Sequence, residues 1–195
     1  MTEPGTPRPA AVRDAVLAAA VQVLTESGYA ATSVRAVARR AGVSQGALQH
    51  HFRSKADLVA AALAHLAGEL STYAARELGA LRGTPREQAE TLLNRLWEIH
   101  TLPVSETIVE ILSLARKDPD LAARMTPVLD TAHTLTLTAG ANAAPELAAR
   151  DGFDQWLLAC VATMRGLVVV HDLDAATTPD WPQARRILLR AFDLT

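Results

Sequence analysis

The sequence predicts an all-α protein with a three-helix N-terminal head and a larger helical body. Apolar residues recur at threes and fours from Val12 to Leu24 and again after Lys55, which is the period of a helix with one buried face. Val, Ile and Thr fall into no alternating runs, aromatic content is only 4% and Ala is abundant, a composition that favours helices packed on helices. At 195 residues, with 49% hydrophobic and 21% charged side chains, the chain is long enough for one large or two small domains, and disorder of the whole is excluded.

In chain order, residues 1 to 9 hold three prolines and a glycine among polar groups and are expected to form a mobile tail. Arg8 in it could reach a polyanion, although a solvated charge is the plainer reading. The first helix runs from Ala10 to Ser27 on Val12, Val16, Ala19, Ala20, Val23 and Leu24, and Gly28 closes it. Thr32 is expected to cap a second helix through Val34, Val37, Ala38 and Ala41. Gly42 stops that helix, because glycine adopts the left-handed conformation at little cost, and Val43 with Ser44 restarts the chain as a staple and N-cap. The third helix, Gln45 to His51, puts Leu48 and Phe52 on one face and leaves Gln45, Ala47, Gln49 and His50 elsewhere around it. Ser54, with Asp57 at the capping-box position, then starts a separate long helix. Two short helices joined by a tight turn with glycine make a helix-turn-helix.

These residues also carry a family resemblance. Gly28-Tyr29, Thr32-Ser33-Val34, Ala38, Ala41-Gly42-Val43-Ser44, Gly46, Leu48, His51-Phe52 and Ser54-Lys55 resemble the N-terminal signature of the tetracycline-repressor (TetR) family of transcriptional regulators. The resemblance spans roughly residues 10 to 60, in order and without a gap; beyond that it is one of length and all-helical pattern. It departs at Gln49, where the family often has a Tyr whose hydroxyl contacts a phosphate. The resemblance implies a homodimer that binds double-stranded DNA through its heads. It also implies a body that binds an effector and changes the separation of the two heads.

Charge distribution agrees with a DNA-binding head. Residues 1 to 55 hold seven basic and three acidic groups, a net +4, whereas the remainder holds 12 basic and 18 acidic, a net −6. The overall −2 conceals a basic end of the kind that phosphate binding by counterion release requires.

The body begins with a helix from Lys55 to about Leu81, ended by Gly83-Thr84-Pro85. Further helices are expected at Arg86 to His100, Val104 to Lys117, Pro119 to about Thr138 with a kink or boundary at Pro127, Phe153 to His171, and Trp181 to Leu194. The last two carry apolar stripes, Trp156, Leu157, Cys160, Val161, Met164, Leu167, Val168 and His171 on one and Ile187, Leu188, Ala191 and Phe192 on the other. They are expected to pair with the same two helices of a second copy as a four-helix bundle, against the plainer reading that the stripes are intramolecular core.

The DNA-binding domain is thus expected over residues 1 to 55, tail included, and the effector-binding and dimerisation domain over 56 to 195. Gln45 and Gln49 are assigned to base edges, since a Gln amide reads adenine bidentately, and Ala47 to a thymine methyl. Arg35, His50 and Lys55 are assigned to phosphates, Arg35 alternatively to a neighbouring base, and Ser44 to the cap at the DNA-facing end. Arg39 and Arg40 are read as a solvated face. For an effector, an unidentified small molecule, the body offers Trp97, His100, Met125, His133, Trp156, Cys160 and Met164, each of which taken singly is ordinary core.

Other classes find less support. His65, His100, His133 and His171 fall on separate helices and His50 and His51 diverge, so no metal site or cofactor is expected. An enzyme would need parts that are missing: there is no phosphate-cradling glycine loop and no H-E-x-x-H, and Cys160 lies in the most apolar helix. Glu106 and Glu110 read as a solvated acidic pair rather than an acid/base couple. A helical dimer that binds DNA or protein without an effector is the remaining alternative. One cysteine, a polar proline-rich opening and no bilayer-length apolar run lead to a cytoplasmic protein without a membrane partner.

Overall fold

A computed structural model describes residues 9–170 and 178–193, which are helical throughout apart from their connections. The helices are α1 (Pro9–Ala31), α2 (Val34–Ala41), α3 (Gln45–His51), α4 (Lys55–Leu78), α5 (Pro85–His100), α6 (Val104–Ala115), α7 (Pro119–Ala143), α8 (Pro145–Ala148), α9 (Phe153–Val170) and α10 (Trp181–Arg190). The expected tail with Arg8, and His171 and Leu194 at the expected ends of two helices, lie outside the described residues. The chain divides into two compact units: residues up to Leu66 with Glu110–Val128, and Ala67–Val109 with residues from Leu129 onward.

In the first unit, α1 to α4 enclose one core. Val16, Leu17, Ala20 and Val23 of α1 meet Val37 and Ala38 of α2, Leu48 of α3, Phe52 after it, and Leu58 and Ala62 of α4. The expected stop at Gly28 is there, at φ 71°, but the chain makes one further helical turn to Ala31. That turn changes the expected cap. Ser33, not Thr32, accepts from the Ala36 N–H at 3.2 Å, while the buried Thr32 hydroxyl donates to the Gly28 carbonyl at 2.8 Å. Gly42 ends α2 in the left-handed conformation at φ 69°, and the N–H groups of Gly42 and Val43 close on the Arg39 and Ala38 carbonyls.

The second unit is built on α5, α8, α9, α10 and the C-terminal part of α7. Leu92, Leu93 and Leu96 of α5, Leu147 of α8, and Trp156, Leu157, Cys160 and Met164 of α9 form its centre. Trp156 stacks on Phe192 at 4.7 Å and donates its indole N–H to the Leu188 carbonyl at 2.9 Å. Trp181 and Arg185 of α10 both donate to the Asn94 side-chain oxygen of α5.

Several expectations about the body are corrected. Helix α7 passes through the exposed Pro127 without a boundary, with Leu121 and Met125 buried on the preceding turns. It continues to Ala143 rather than stopping near Thr138, because Gly140 serves close packing and not termination. A Cβ there would lie 2.9 Å from Leu157 Cδ2 and 3.4 Å from Phe153 Cζ. The α10 stripe is met in part: Phe192 and Leu188 pack on the core together with Ala184 and Leu189, whereas Ile187 is 60% exposed and Ala191 is also exposed. Finally, Phe153–Val170 does reach the length and mean hydropathy, 1.4, of a membrane span, but seven of its apolar side chains are buried in the protein core.

Because the only obstacle to a side chain at Gly42 is its positive φ, Gly42→Ala is expected to lower stability by about 1 kcal/mol. Chemical denaturation of the purified variant beside the parent checks it; an unchanged midpoint would contradict the capping role.

Candidate nucleic-acid interface

Helix α3 is only seven residues long, and both of its ends are tied. At the start the Ser44 hydroxyl accepts from the Ala47 N–H at 3.1 Å; at the end the Phe52 N–H donates to the Leu48 carbonyl at 2.9 Å. Leu48 is buried, while Gln45, Ala47, Gln49 and His50 are all exposed. Gln45 and Gln49, four apart, share a face about 6 Å along the axis from each other. Arg35 and Arg39 on α2 are exposed as well. Arg40 is not simply solvated: its guanidinium makes a forked ion pair with Glu26 of α1, which fixes α2 against α1.

Lys55 is neither solvated nor wholly free. Its ammonium donates to the Ala30 carbonyl at 3.1 Å and lies 4.2 Å from the centre of the Tyr29 ring, a cation–π contact. Partial burial pulls its basicity down, and the Glu110 carboxylate opposes that. Glu110 belongs to α6, and its Oε2 accepts from the Tyr29 N–H at 3.0 Å, so it is not the solvated acid expected. Gly28 makes this possible, because a Cβ there would approach the same oxygen to 3.3 Å. A second tie joins α4 to α7: Arg124 Nε donates to Asp57 at 2.5 Å. Arg124 holds the Asp57 carboxyl below the usual carboxylate range, assisted by Ser54. The sequence gives Tyr29 and Arg124 no role of their own and reads Glu110 as solvated; the Gly28-Tyr29 pair is the one local signal, since pairings 67 and 81 residues apart leave no periodic trace.

The residues expected to meet an effector are dispersed. Trp156, Cys160 and Met164 lie within the core of the second unit, and burial pushes the Cys160 thiol up to about 12, which makes it inert. Met125 is buried and belongs to the first unit, the others to the second. Trp97 stacks on Trp181 at 4.9 Å. His100 and His133 are half-buried and both feel the charge of Arg165. Among the described residues no group of three or more His, Cys, Asp or Glu is arranged to hold a metal ion.

A short capped helix that offers amides and an imidazole outward from a three-helix core is the reading element of a helix-turn-helix, DNA-binding transcription regulator. Comparison with known proteins agrees. Residues 16–62 match the family described as bacterial regulatory proteins, tetR family. The chain is 33% identical over 159 residues to the HTH-type transcriptional repressor Rv3405c of Mycobacterium tuberculosis, covering 74% of this chain and 79% of that protein. Over 57 residues it is 44% identical to the HTH-type transcriptional repressor KstR2 of Mycolicibacterium smegmatis, covering 29% and 28% respectively. Among solved structures, Salmonella enterica GusR superposes with a TM-score of 0.64 at 21% identity, covering 97% of this chain and 100% of that one. The chain therefore belongs to the tetR family of bacterial regulatory proteins. It is a transcriptional regulator and not an enzyme.

The Asp57–Arg124 tie has a pH signature. A carboxylate whose pKa is depressed on folding stabilises the fold above its unfolded value of about 4 and loses that contribution as pH falls through the folded value. The thermal midpoint of the parent is expected to exceed that of Asp57→Asn by a constant margin above about pH 5 and to converge with it in acid. Parallel melts from pH 7 to pH 3 check this, and a margin independent of pH would refute it.

Proposed function

We propose that the protein is a repressor that binds a palindromic operator as a homodimer and releases it when a small molecule occupies the helical body. The observation that carries this reading is the orientation of α3, with Leu48 inward and Gln45, Ala47, Gln49 and His50 outward. Gln45 and Gln49 read base edges, Ala47 packs on a thymine methyl, and Arg35, His50 and Lys55 hold phosphates, with Ser44 capping the inserted end. An ammonium has three donors, so Lys55 can keep Ala30 and still reach a phosphate. Gln49 donates an amide N–H where many relatives carry a tyrosine hydroxyl. Repression is supported by the repressor named among the relatives at 33% identity.

Two further parts complete the reading. Reading heads, about residues 10 to 55, are joined by bodies, residues 56 to 195, and the dimer forms through α9 and α10, where Val169, Val170 and Ile187 leave apolar surface 43%, 39% and 60% exposed. Half-sites then lie about one duplex turn apart or slightly more. Since the effector must prefer the state that does not bind DNA, DNA in turn weakens the effector by the same factor. A bacterial operator is met in the cytoplasm.

Selection of bound fragments from a random duplex library, followed by sequencing, tests the reading, and a recovered palindrome is expected. No enriched sequence from a folded dimer would refute it. On that operator, Gln45→Ala is expected to change sequence preference at one position per half-site, by about 1–3 kcal/mol. Lys55→Ala is expected to weaken all sequences alike and to flatten the salt dependence by about one unit per head. Fluorescence anisotropy over a salt series distinguishes the two roles; altered preference with an unchanged slope in Lys55→Ala would reverse the assignment.

A further inference from the structure

Apart from its Arg and a first-turn Asp154, α9 carries no charged side chain, yet Arg165 is half-buried in its second half. Burial lowers its basicity and no carboxylate counters that; among the described residues it forms no ion pair. A guanidinium taken partly out of water without a counter-charge is costly, and such groups are normally paired.

The helix crossings show what surrounds it. Gly140 of α7 meets Leu157 of α9 and Leu92 of α5 at one point. Two turns from that point, about 11 Å along each axis, lie His133 on α7, Arg165 on α9 and His100 on α5. Arg165 acts electrostatically on both imidazoles, so the three groups are neighbours within the second unit. His100 donates from Nδ1 to the Leu96 carbonyl at 2.8 Å, so that bond does not occupy Nε2. The acidic group acting on this cluster is Asp130, through His133. Adjacent turns are apolar, with Leu96, Leu137 and Met164.

We propose that Arg165, His100 and His133 form the seat for the anionic group of the effector, an organic carboxylate with an apolar body. The planar guanidinium fork matches a carboxylate and His133 can add a donor, while His100, whose Nδ1–H is committed to the Leu96 carbonyl, donates from Nε2 only as the imidazolium, the form that a bound anion favours. This rests on the effector reading above and specifies its chemistry.

The test uses the full chain with sodium octanoate and sodium benzoate, their neutral amides octanamide and benzamide, and chloride at matched ionic strength. At least one carboxylate is expected to raise the melting temperature while its amide does not. Arg165→Gln is expected to weaken that carboxylate by about tenfold or more and to leave the ligand-free melting temperature equal or higher, because an uncompensated charge is removed. Should Arg165→Gln fail to fold, Arg165→Lys keeps the charge without the fork and is expected to bind more weakly than the parent. No carboxylate-specific rise in the parent, or unchanged affinity in the folded variant, overturns the proposal. The same compounds added to the operator complex separate the two readings. Carboxylate binding that leaves the operator bound would sink the release mechanism but keep the seat, and release by a neutral compound alone would do the reverse.

Discussion

A seven-residue helix cannot hold itself together in water, because helix nucleation is unfavourable and isolated helices shorter than about 12 residues are marginal. Helix α3 must therefore be imposed from outside, and much of the first unit does this. Leu48 and Phe52 anchor it in a core supplied by α1, α2 and α4, Ser44 satisfies its first free N–H groups, and the left-handed Gly42 sets its direction relative to α2. The constraint also explains its exposed side. With anchoring confined to Leu48 within the helix, Gln45, Ala47, Gln49 and His50 are free of packing duties and available to a duplex.

The same unit reaches beyond these helices. Glu110 from α6 fastens the backbone at Tyr29, next to the Gly28 irregularity, and Lys55 covers the Tyr29 ring while holding the Ala30 carbonyl. Arg124 from α7 holds the first turn of α4 through Asp57. Each tie uses a charged group at a place where the backbone leaves or enters a helix. Helices α6 and α7 contribute residues to both units.

The second unit combines an ordinary core with one unresolved electrostatic feature. Trp156, Cys160 and Met164 have their needs met within the protein: the indole N–H has its carbonyl, the thiol is kept neutral, and the thioether is enclosed by apolar neighbours. Arg165 does not: burial lowers its basicity, and its charge in turn disfavours protonation of His100 and His133. Side chains that are satisfied internally have little reason to meet a ligand, which shifts attention from the large apolar residues to the basic ones.

Much of this protein was legible in the sequence. The three-and-four apolar period placed α1 to α6 and α9 to within a few residues, α3 without error, and Ser44 and Gly42 marked their own positions because caps and left-handed turns are local requirements met by local residue types. The basic head and the outward α3 residues followed from the same local reading. Tertiary structure decided what depends on distant partners. Thr32 gave up the cap to Ser33 because a hydrogen bond to Gly28 became available, and Gly140 extended α7 because Leu157 needed the space. Ile187 turned outward because the α10 core face was set by Asn94 and Trp156. The convergence of His100, His133 and Arg165, 33 and 32 residues apart along the chain, is visible only once three helices cross, since periodicity reports which face of a helix is buried and not what that face meets.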